Sequence, residues 1–443
     1  MKRFGIILFC LITIKGISQN QGNIWYFGDG AGIDFSSGAP QVLTDGQTSF
    51  VGCPGCHAEG TAVISDNIGN LLFYTDGNKI WNRIHQIMPN GDSLISNISA
   101  TQGSLILPKP GSNQYYYVFN VDDFNFNNLQ GGLTYSKVDI CLDNGLGDVQ
   151  QDFKNIPLET NMTEKLTAVQ HQNGIDFWII SHKFQSNTFC AFRLTSSGIS
   201  DTIYSNVGST HTGNVGASIG QLKGSPNGQK IAIVNGQATT NIAEYLDFDA
   251  TTGAISNPVS LQTNPNWGYY GVSFSPDNTK LYLACSLNGN GIYQFDLNAG
   301  GGNPASVLGS MTQIADTYNY LGLQLANNGK IYTARSPFGF NDYIGVINEP
   351  NFSGISCNYI DSAVYLNGRS ASYGFPNFLD SYDYTNSSAD CPIVSIDENY
   401  PNTTQPVLLK IVDLLGRETA PKPNQMLLYL YSDGTIEKMI WLE

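Results

Sequence analysis

The sequence predicts an all-β fold, specifically a seven-bladed β-propeller followed by a short C-terminal β tail. The 443 residues include 47 Gly, 12% aromatic side chains and only 13% charged ones. Glycine supplies the positive φ angles of tight turns, and aromatic rings suit pleated, half-buried strands. No long stretch keeps a 3.6-residue apolar period, so little helix is expected. A repeat of about fifty residues then favours a propeller over other β folds.

Three segments carry that repeat most clearly. They are "SPNGQKIAIV" from Ser225, "SPDNTKLYLA" from Ser275 and "LANNGKIYTA" from Leu325, each 50 residues after the last. In each, a polar turn rich in Asn, Asp or Gly precedes a run of alternating β-type residues. Such turns tolerate left-handed backbone, and the run has the two-residue period of a strand. Each copy therefore predicts one β-hairpin.

Weaker copies of the hairpin begin at Ser65, Pro108 and Gln170, at less regular spacing. Surface insertions produce such irregularity at little cost in loop entropy. A seventh unit is expected from the two ends of the repeat region, by pairing residues 23–35 with "ASYGFPNF" at residues 371–378. That pairing would close the ring and hide strand edges that otherwise recruit other chains.

The sequence composition predicts how the chain divides into domains. Residues 1–18 are predicted to form a signal peptide, because Lys2 and Arg3 precede an apolar run and small residues follow it at a possible cleavage site. The run is too short to span a bilayer, and no later stretch is long and apolar enough to do so. Residues 23–384 are expected to form the propeller. Residues 385–405 are polar and Pro-containing, as in a linker, and residues 406–443 hold short apolar strands.

Both folded parts resemble known families. The runs "IWYFGDGAGIDF", "EGTAVISDNIGNLLFYTDGNKIWNRIHQIMPNG", "EKLTAVQHQNGIDFWIISHKF" and "YGFPNF" resemble a family of secreted β-propellers common in Bacteroidetes. That family implies the fold and no agreed activity. The tail, with "DLLGRET" and "YSDGTIEK", resembles C-terminal sorting domains of the type IX secretion system. This resemblance implies export by the type IX machinery, to a secreted or outer-membrane cell-surface location.

Charge excludes one class of partner. The net charge is −15, and no patch of Lys and Arg appears along the chain. Nucleic acid, itself a polyanion, is therefore not an expected partner.

The pentapeptide "CPGCH" carries the most specific chemical signal. Cys53, Cys56 and His57 have the C-x-x-C-H spacing of c-type haem attachment. The rest of a cytochrome is missing, because the motif lies in a turn before a predicted strand. A disulfide between Cys53 and Cys56 is the leading interpretation, and no cofactor is expected. Free or differently paired thiols, haem, and a metal site completed by a carboxylate such as Glu59 remain alternatives.

Two further groups of residues are candidates for a site. Glu164, His171 and His182 surround one predicted strand and would serve acid–base chemistry if they converge on the propeller channel. Trp267, Tyr269 and Tyr270 precede a repeat strand, where exposed rings would suit sugar faces. Packing between blades is the plainer interpretation of both groups.

The leading functional hypothesis is a binding or interaction module for a surface carbohydrate, peptide or protein. A glycan-degrading hydrolase or lyase is the alternative, and a haem redox protein is a third. Whether the chain is an enzyme stays open at this point.

Overall fold

The computed structural model describes residues 20–48, 58–124, 129–236, 241–317, 319–335, 342–381, 408–413, 417–421, 424–431 and 436–440. The chain divides into two compact units, Met1–Cys391 and Pro392–Glu443. The predicted signal peptide, the predicted linker and the pentapeptide lie outside the described residues.

Strands dominate both units, as the sequence predicts. In the first part of the chain they are β1 (Ile24–Phe27), β2 (Ala31–Asp34), β3 (Gln41–Leu43), β4 (Ala62–Ser65), β5 (Leu71–Thr75), β6 (Ile80–Asn82), β7 (Ser104–Pro108), β8 (Tyr115–Val121), β9 (Leu133–Asp139), β10 (Asp148–Val149) and β11 (Ile156–Glu159). In the middle they are β12 (Met162–Gln170), β13 (Phe177–Lys183), β14 (Ser186–Thr195), β15 (Gly198–His211), β16 (Leu222–Gly224), β17 (Lys230–Asn235), β18 (Ile242–Phe248) and β19 (Ile255–Ser260). The remainder are β20 (Gly268–Phe274), β21 (Lys280–Leu287), β22 (Gly291–Asp296), β23 (Thr312–Ala315), β24 (Tyr320–Leu325), β25 (Ile331–Arg335), β26 (Tyr343–Ile347), β27 (Tyr359–Tyr365), β28 (Leu408–Val412), β29 (Met426–Tyr431) and β30 (Ile436–Ile440).

Helix is scarce, which confirms the prediction. The described residues form two short α-helices, α1 (Leu142–Gly145) and α2 (Pro304–Gly309). Single 3-10 turns occupy Asn20–Gly22, Gln151–Phe153, Val215–Ala217, Ala299–Gly301 and Gly354–Cys357. The start of α2 has a local cause: the Asn303 side chain accepts hydrogen bonds from the backbone N–H groups of Ala305 and Ser306.

The described strands of the first unit form seven antiparallel sheets in chain order. They comprise β1–β3, β4–β6, β7–β11, β12–β15, β16–β19, β20–β23 and β24–β27. Neighbouring sheets contact through their first strands, as in β4 with β7, β12 with β16 and β20 with β24. The last sheet also meets the first, since the Tyr332 ring lies 5.5 Å from that of Trp25 and 5.2 Å from that of Phe35. We call this succession of seven sheets the ring.

Equivalent turns show that the sequence repeat is a structural one. The backbone N–H of Ser225 donates to Lys230 and that of Ser275 to Lys280, over 2.8 and 2.9 Å. Gly228 and Asn278 supply the left-handed residue of each turn, with φ of 68° and 64°. In the third copy the corresponding bond begins one residue later than the alignment predicts, at Ala326.

Residues 371–378 differ from the sequence expectation in one respect. They lie beside the first sheet, with the Phe375 ring 5.1 Å from that of Phe27 and the Phe378 ring 5.7 Å from that of Trp25. The proximity is as expected, but no β ladder joins the two segments: 371–378 are not strand. Pro376 has no N–H to donate to a ladder. The segment therefore closes against the first sheet by aromatic packing.

The same segment fits between the last sheet and the second. A Cβ on Gly322 would lie 2.9 Å from the Gly374 Cα, and a Cβ on Gly374 would lie 2.9 Å from the Glu59 carbonyl oxygen. Residues 371–381 thus take the inner position that β1–β3 leave open.

The second unit is a small antiparallel sheet in the order β28–β29–β30. Leu427 and Val412 are buried apolar residues of this sheet, at 2% and 5% exposure. The Arg417 guanidinium pairs with the Asp413 carboxylate over 2.8 Å beside the first turn. The sequence expectation of short apolar strands in this tail matches these three strands.

Candidate ligand site at one end of the ring

The centre of the ring is filled by the chain itself. The Asn377 side-chain amide donates to the carbonyls of Leu166, at 2.7 Å, and Ser104, at 3.3 Å. Its backbone N–H donates to Thr61 over 2.8 Å, and the Gly322 N–H donates to Tyr373 over 2.9 Å. Residues 371–381 therefore bind four sheets, besides packing on the first, and occupy the space that an open channel would need.

Two glutamines bridge first strands of neighbouring sheets. The Gln102 Oε1 atom accepts from the N–H groups of Leu166 and Leu222, at 3.3 and 2.7 Å. The Gln221 Oε1 atom accepts from Val272 and Leu323, at 3.0 and 3.2 Å. Buried amides satisfied in this way fix the spacing of the strands, because a lost partner would leave a buried donor unpaired.

Polar side chains from several sheets gather where the first strands begin. Thr101 precedes β7, Glu164 lies near the start of β12, Tyr270 lies near the start of β20, and Glu59 precedes β4. We call this the Glu59 end of the ring. The Tyr270 hydroxyl donates to Glu59 Oε2 over 2.5 Å, and Ser99 donates to Glu59 Oε1 over 3.4 Å. Glu59 is half-buried, so one end of this network reaches the surface.

Glu164 is fully buried beside that network and surrounded by donors. Its Oε2 atom accepts from the Thr101 N–H and hydroxyl, at 3.1 and 3.0 Å. Its Oε1 atom accepts from the Phe124 N–H at 3.0 Å and the Ser218 hydroxyl at 3.4 Å. Burial raises the pKa of Glu164, although these bonds oppose the rise. Burial and the nearby Glu164 carboxylate raise the pKa of Glu59 well above its usual value.

Lys165 is enclosed as completely as Glu164. Its ammonium donates to the carbonyls of Ala217, Ser218 and Ile219, at 3.3, 2.6 and 2.8 Å. Burial lowers the pKa of Lys165, and the Glu164 charge opposes that shift. Three donors meeting three carbonyls account for the whole hydrogen-bonding capacity of an ammonium group. Lys165 therefore holds the connection before β16 in place.

The structure separates the two histidines of the predicted acid–base group. His171 lies at the β12–β13 hairpin turn, where its Nδ1 atom accepts from the Asn173 N–H over 3.0 Å. His182 lies toward the other end of β13, with its ring centroid 4.1 Å from that of His211 and 4.5 Å from that of Phe189. Glu164 and His182 thus share the Glu59 end of their sheet, and His171 is remote from both.

The His182 and His211 rings are fully buried. Neither nitrogen of His182 has a hydrogen-bond partner among the described residues, nor has Nε2 of His211. Burial lowers the pKa of His182 to about 3, and burial together with His182 and Lys165 lowers that of His211 far below its usual value. Both imidazoles are therefore neutral in the folded chain.

The predicted aromatic group is mostly inside the protein. Tyr269 and Tyr270 are 0% and 3% exposed, so the expectation that they are exposed is wrong for both. Alternating strand residues face neighbouring sheets here, which buries the rings. Trp267 is half-buried and stacks on Tyr293 at a centroid distance of 5.0 Å. Only Tyr270 of the three reaches the Glu59 network.

The structure describes some of the cysteines, but not those of the pentapeptide. Cys53, Cys56 and His57 lie outside the described residues, so the disulfide, haem and metal interpretations stay predictions. Cys190, Cys285 and Cys357 are free and buried, and Cys141 is disulfide-bonded. Within the part of the chain that is described, no group of three or more His, Cys, Asp or Glu side chains is placed to hold a metal ion.

Sequence reasoning missed two features of the site. Glu59 was considered only as a metal ligand, since nothing in sequence shows that Tyr270 reaches it from 211 residues away. The central role of Asn377 was also missed. The run "YGFPNF" was itself the available signal, because a lone proline-containing motif at the end of a repeat array has no strand to join.

Comparisons with known proteins give structural likenesses alone. No protein-family model matches the chain, and no curated protein matches it. A solved, functionally unknown protein from Desulfotomaculum acetoxidans has 12% identity and a TM-score of 0.39, over 86% of this chain and 94% of that one. A putative 6-phosphogluconolactonase from Bacteroides uniformis has 12% identity and a TM-score of 0.39, over 87% and 97%. The Pseudomonas aeruginosa periplasmic gluconolactonase has 14% identity and a TM-score of 0.34, over 74% and 81%. Values this low carry no argument about activity.

Proposed function

We propose that the chain is an exported seven-bladed β-propeller that acts as a binding module for a surface carbohydrate. The seven sheets would be its blades, with residues 371–381 supplying the inner segment of the blade formed by β1–β3. Contacts between successive sheets, and between Trp25 and Tyr332, support this ring closure.

One observation carries the choice of binding over catalysis: the central reactive groups are already engaged in holding the ring together. Four donors saturate Glu164, and three carbonyls saturate Lys165. Residues 371–381 fill the centre, where a propeller enzyme would place its substrate. A catalytic group must reach the reacting atoms, and these groups are enclosed.

The Glu59 end offers the accessible part of the network. Glu59, Ser99 and Tyr373 are half-buried there, and the Tyr373 ring lies 6.0 Å from that of Tyr270. A carboxylate, a hydroxyl and an aromatic ring side by side suit a carbohydrate, which presents hydroxyl groups and an apolar face. Binding of a peptide or a protein, rather than a glycan, is an alternative outcome of the same binding experiment.

A glycan-degrading hydrolase or lyase is the second candidate, and one observation favours it. Glu59 and Glu164 are neighbouring carboxyl groups whose pKa values are both raised. A carboxyl group whose pKa is raised is suited to act as a general acid. In this alternative Glu59 would be the acid, because it is the accessible member of the pair.

Export rests on the two ends of the chain. The signal-like residues 1–18 and the tail resembling a type IX sorting domain support secretion or attachment to the cell surface. Among the described residues, no helix is long and apolar enough to cross a membrane.

A glycan and peptide array, probed with the purified mature protein, tests the proposed function. We expect binding to a defined set of glycans, and a loss of at least tenfold in affinity in the Glu59→Gln variant. Glu349→Gln is the matched control, because Glu349 is exposed and its side chain makes no hydrogen bond within the described structure. Absence of any glycan binding, or equal binding by both variants, would contradict the proposal.

A further inference from the structure

A cavity of about 200 Å³ lies at the end of the ring opposite Glu59. Pro226 follows β16, Pro276 follows β20, and Leu325 ends β24, so the cavity opens where the first strands finish. Its other walls include Trp25, Phe378 and Asp380. We call this the Asp380 cavity. It is far larger than one water needs and smaller than the pockets of roughly 300–1,000 Å³ that hold drug-sized ligands.

Asp380 is a charged residue among those that line the cavity, beside the apolar side chains of Trp25, Phe378 and the two prolines. Its Oδ1 atom accepts from the Gln324 amide over 3.0 Å. Its second carboxylate oxygen receives no hydrogen bond from any described residue, and the residue is half-buried. The carboxylate therefore has an acceptor available to a ligand in the cavity.

The nearest cation does not neutralise this carboxylate by direct contact. The Lys223 ammonium donates to Gln324 Oε1 over 2.5 Å and to Asn377 Oδ1 over 3.3 Å. Burial raises the pKa of Asp380, and the Lys223 charge opposes that shift only in part. A second cation at the free oxygen would offset the remaining cost of burying the carboxylate.

The segment that directly follows Asp380 carries no cationic side chain. Residues 382–407 contain no Lys, Arg or His, and the next basic residue is Lys410 in the second unit. The chain as a whole carries a net charge of −15, which attracts cations to its surface. A ligand can supply such a cation.

We propose that the Asp380 cavity binds a small organic amine, with its ammonium on Asp380 and its short apolar stem between Pro226, Pro276 and Phe378. The aromatic and proline walls exclude water from the stem, and the ammonium donates to the free carboxylate oxygen. The site lies at the opposite end of the ring from Glu59. Its existence is independent of the carbohydrate-binding proposal.

Isothermal titration of the mature protein with n-butylammonium tests this site, and neutral n-butanol is the matched probe. We expect saturable binding of the ammonium that is at least tenfold tighter than that of the alcohol. Asp380→Asn should weaken ammonium binding at least tenfold. Asp152→Asn makes the same charge change at an exposed position and should leave binding unchanged.

A second variant keeps the proposal testable if Asp380→Asn fails to fold. Leu325→Trp fills the cavity from its wall and keeps the carboxylate, so it should abolish ammonium binding while the circular dichroism spectrum of the folded protein stays unchanged. Equal binding of alcohol and ammonium would overturn the proposal, and so would unchanged binding in a folded Asp380→Asn or in Leu325→Trp. No detectable ammonium binding by the wild-type protein would also overturn it.

Discussion

The Tyr270–Glu59 pair links distant parts of the ring, and in our proposal it also positions a ligand contact. Tyr270 belongs to β20 and Glu59 precedes β4, so their 2.5 Å bond joins parts of the ring that are far apart in sequence. The same bond orients the half-buried carboxylate that we propose contacts the ligand. A side chain can thus be structural on one side and available for binding on the other.

Removing that bond should lower stability measurably. Tyr270→Phe deletes the donor and leaves the half-buried Glu59 carboxylate with the longer Ser99 hydrogen bond, so we expect the free energy of unfolding to fall by about 1–3 kcal/mol. Urea denaturation followed by fluorescence measures it. Tyr245→Phe is the control, because the Tyr245 hydroxyl has no hydrogen bond within the described residues and its ring contacts Lys230. Equal loss in both variants would refute the role of this bond.

The buried histidine pair predicts sensitivity to acid. His182 and His211 are neutral when folded, because their pKa values are lowered, whereas unfolded imidazoles take up protons below about pH 6.5. Stability is therefore complete above about pH 6.5 and falls as the pH drops toward 3. The expected slope is about 1.4 kcal/mol per pH unit for each histidine.

Urea denaturation between pH 5 and 7 measures this slope. His182→Phe keeps an aromatic ring against Phe189 and should remove about half of the dependence. His171→Asn should keep the wild-type slope, because it leaves both enclosed imidazoles in place. An unchanged slope in His182→Phe would show that the pair does not govern acid stability.

Secondary-structure elements were the most predictable level of this protein. The hairpins at Ser225 and Ser275 follow from the residues of the turn and from the alternation of side chains along the strand. Both features depend on a few adjacent residues. The position of residues 371–381 depends instead on contacts with sheets hundreds of residues earlier. The burial of Tyr269 likewise depends on a neighbouring sheet, so neither feature is readable from local pattern.

The close fit of residues 371–381 against the neighbouring sheets can be tested by mutation. Gly374→Ala should lower the free energy of unfolding by about 1–3 kcal/mol, because its Cβ would lie 2.9 Å from a backbone carbonyl oxygen. Gly309→Ala is the matched control, since a Cβ there meets no atom within 4 Å. Thermal or urea unfolding of both variants measures the difference in their free energies of unfolding. A Gly374→Ala protein as stable as the control would mean that the segment does not pack here as described.

The chain folds into the ring and a second unit with a small sheet of its own, and we propose that these two units divide binding from export. In our proposals the ring carries both ligand sites, and the second unit carries the run that resembles a sorting domain. Each unit has its own buried residues, as Leu427 shows for the second. The export role therefore belongs to the tail in our proposal, and the binding role to the ring.

Deleting residues 406–443 should separate those roles. In a bacterium with type IX machinery, we expect the truncated chain to remain in the periplasm, folded and able to bind ligand. The full chain should reach the surface or the medium. Cell fractionation with an antibody to the ring measures this, and the Glu349→Gln full-length variant controls for mutation alone. Surface display of the truncated chain would contradict the assignment.

We propose that the ring binds a carbohydrate without transforming it. The most direct measurement incubates each array-identified glycan with the wild-type protein and follows the glycan mass over many hours. We predict an unchanged glycan mass, together with binding that depends on Glu59. A shorter or unsaturated glycan product, absent in Glu59→Gln, would contradict the claim and establish a hydrolase or lyase at this end of the ring.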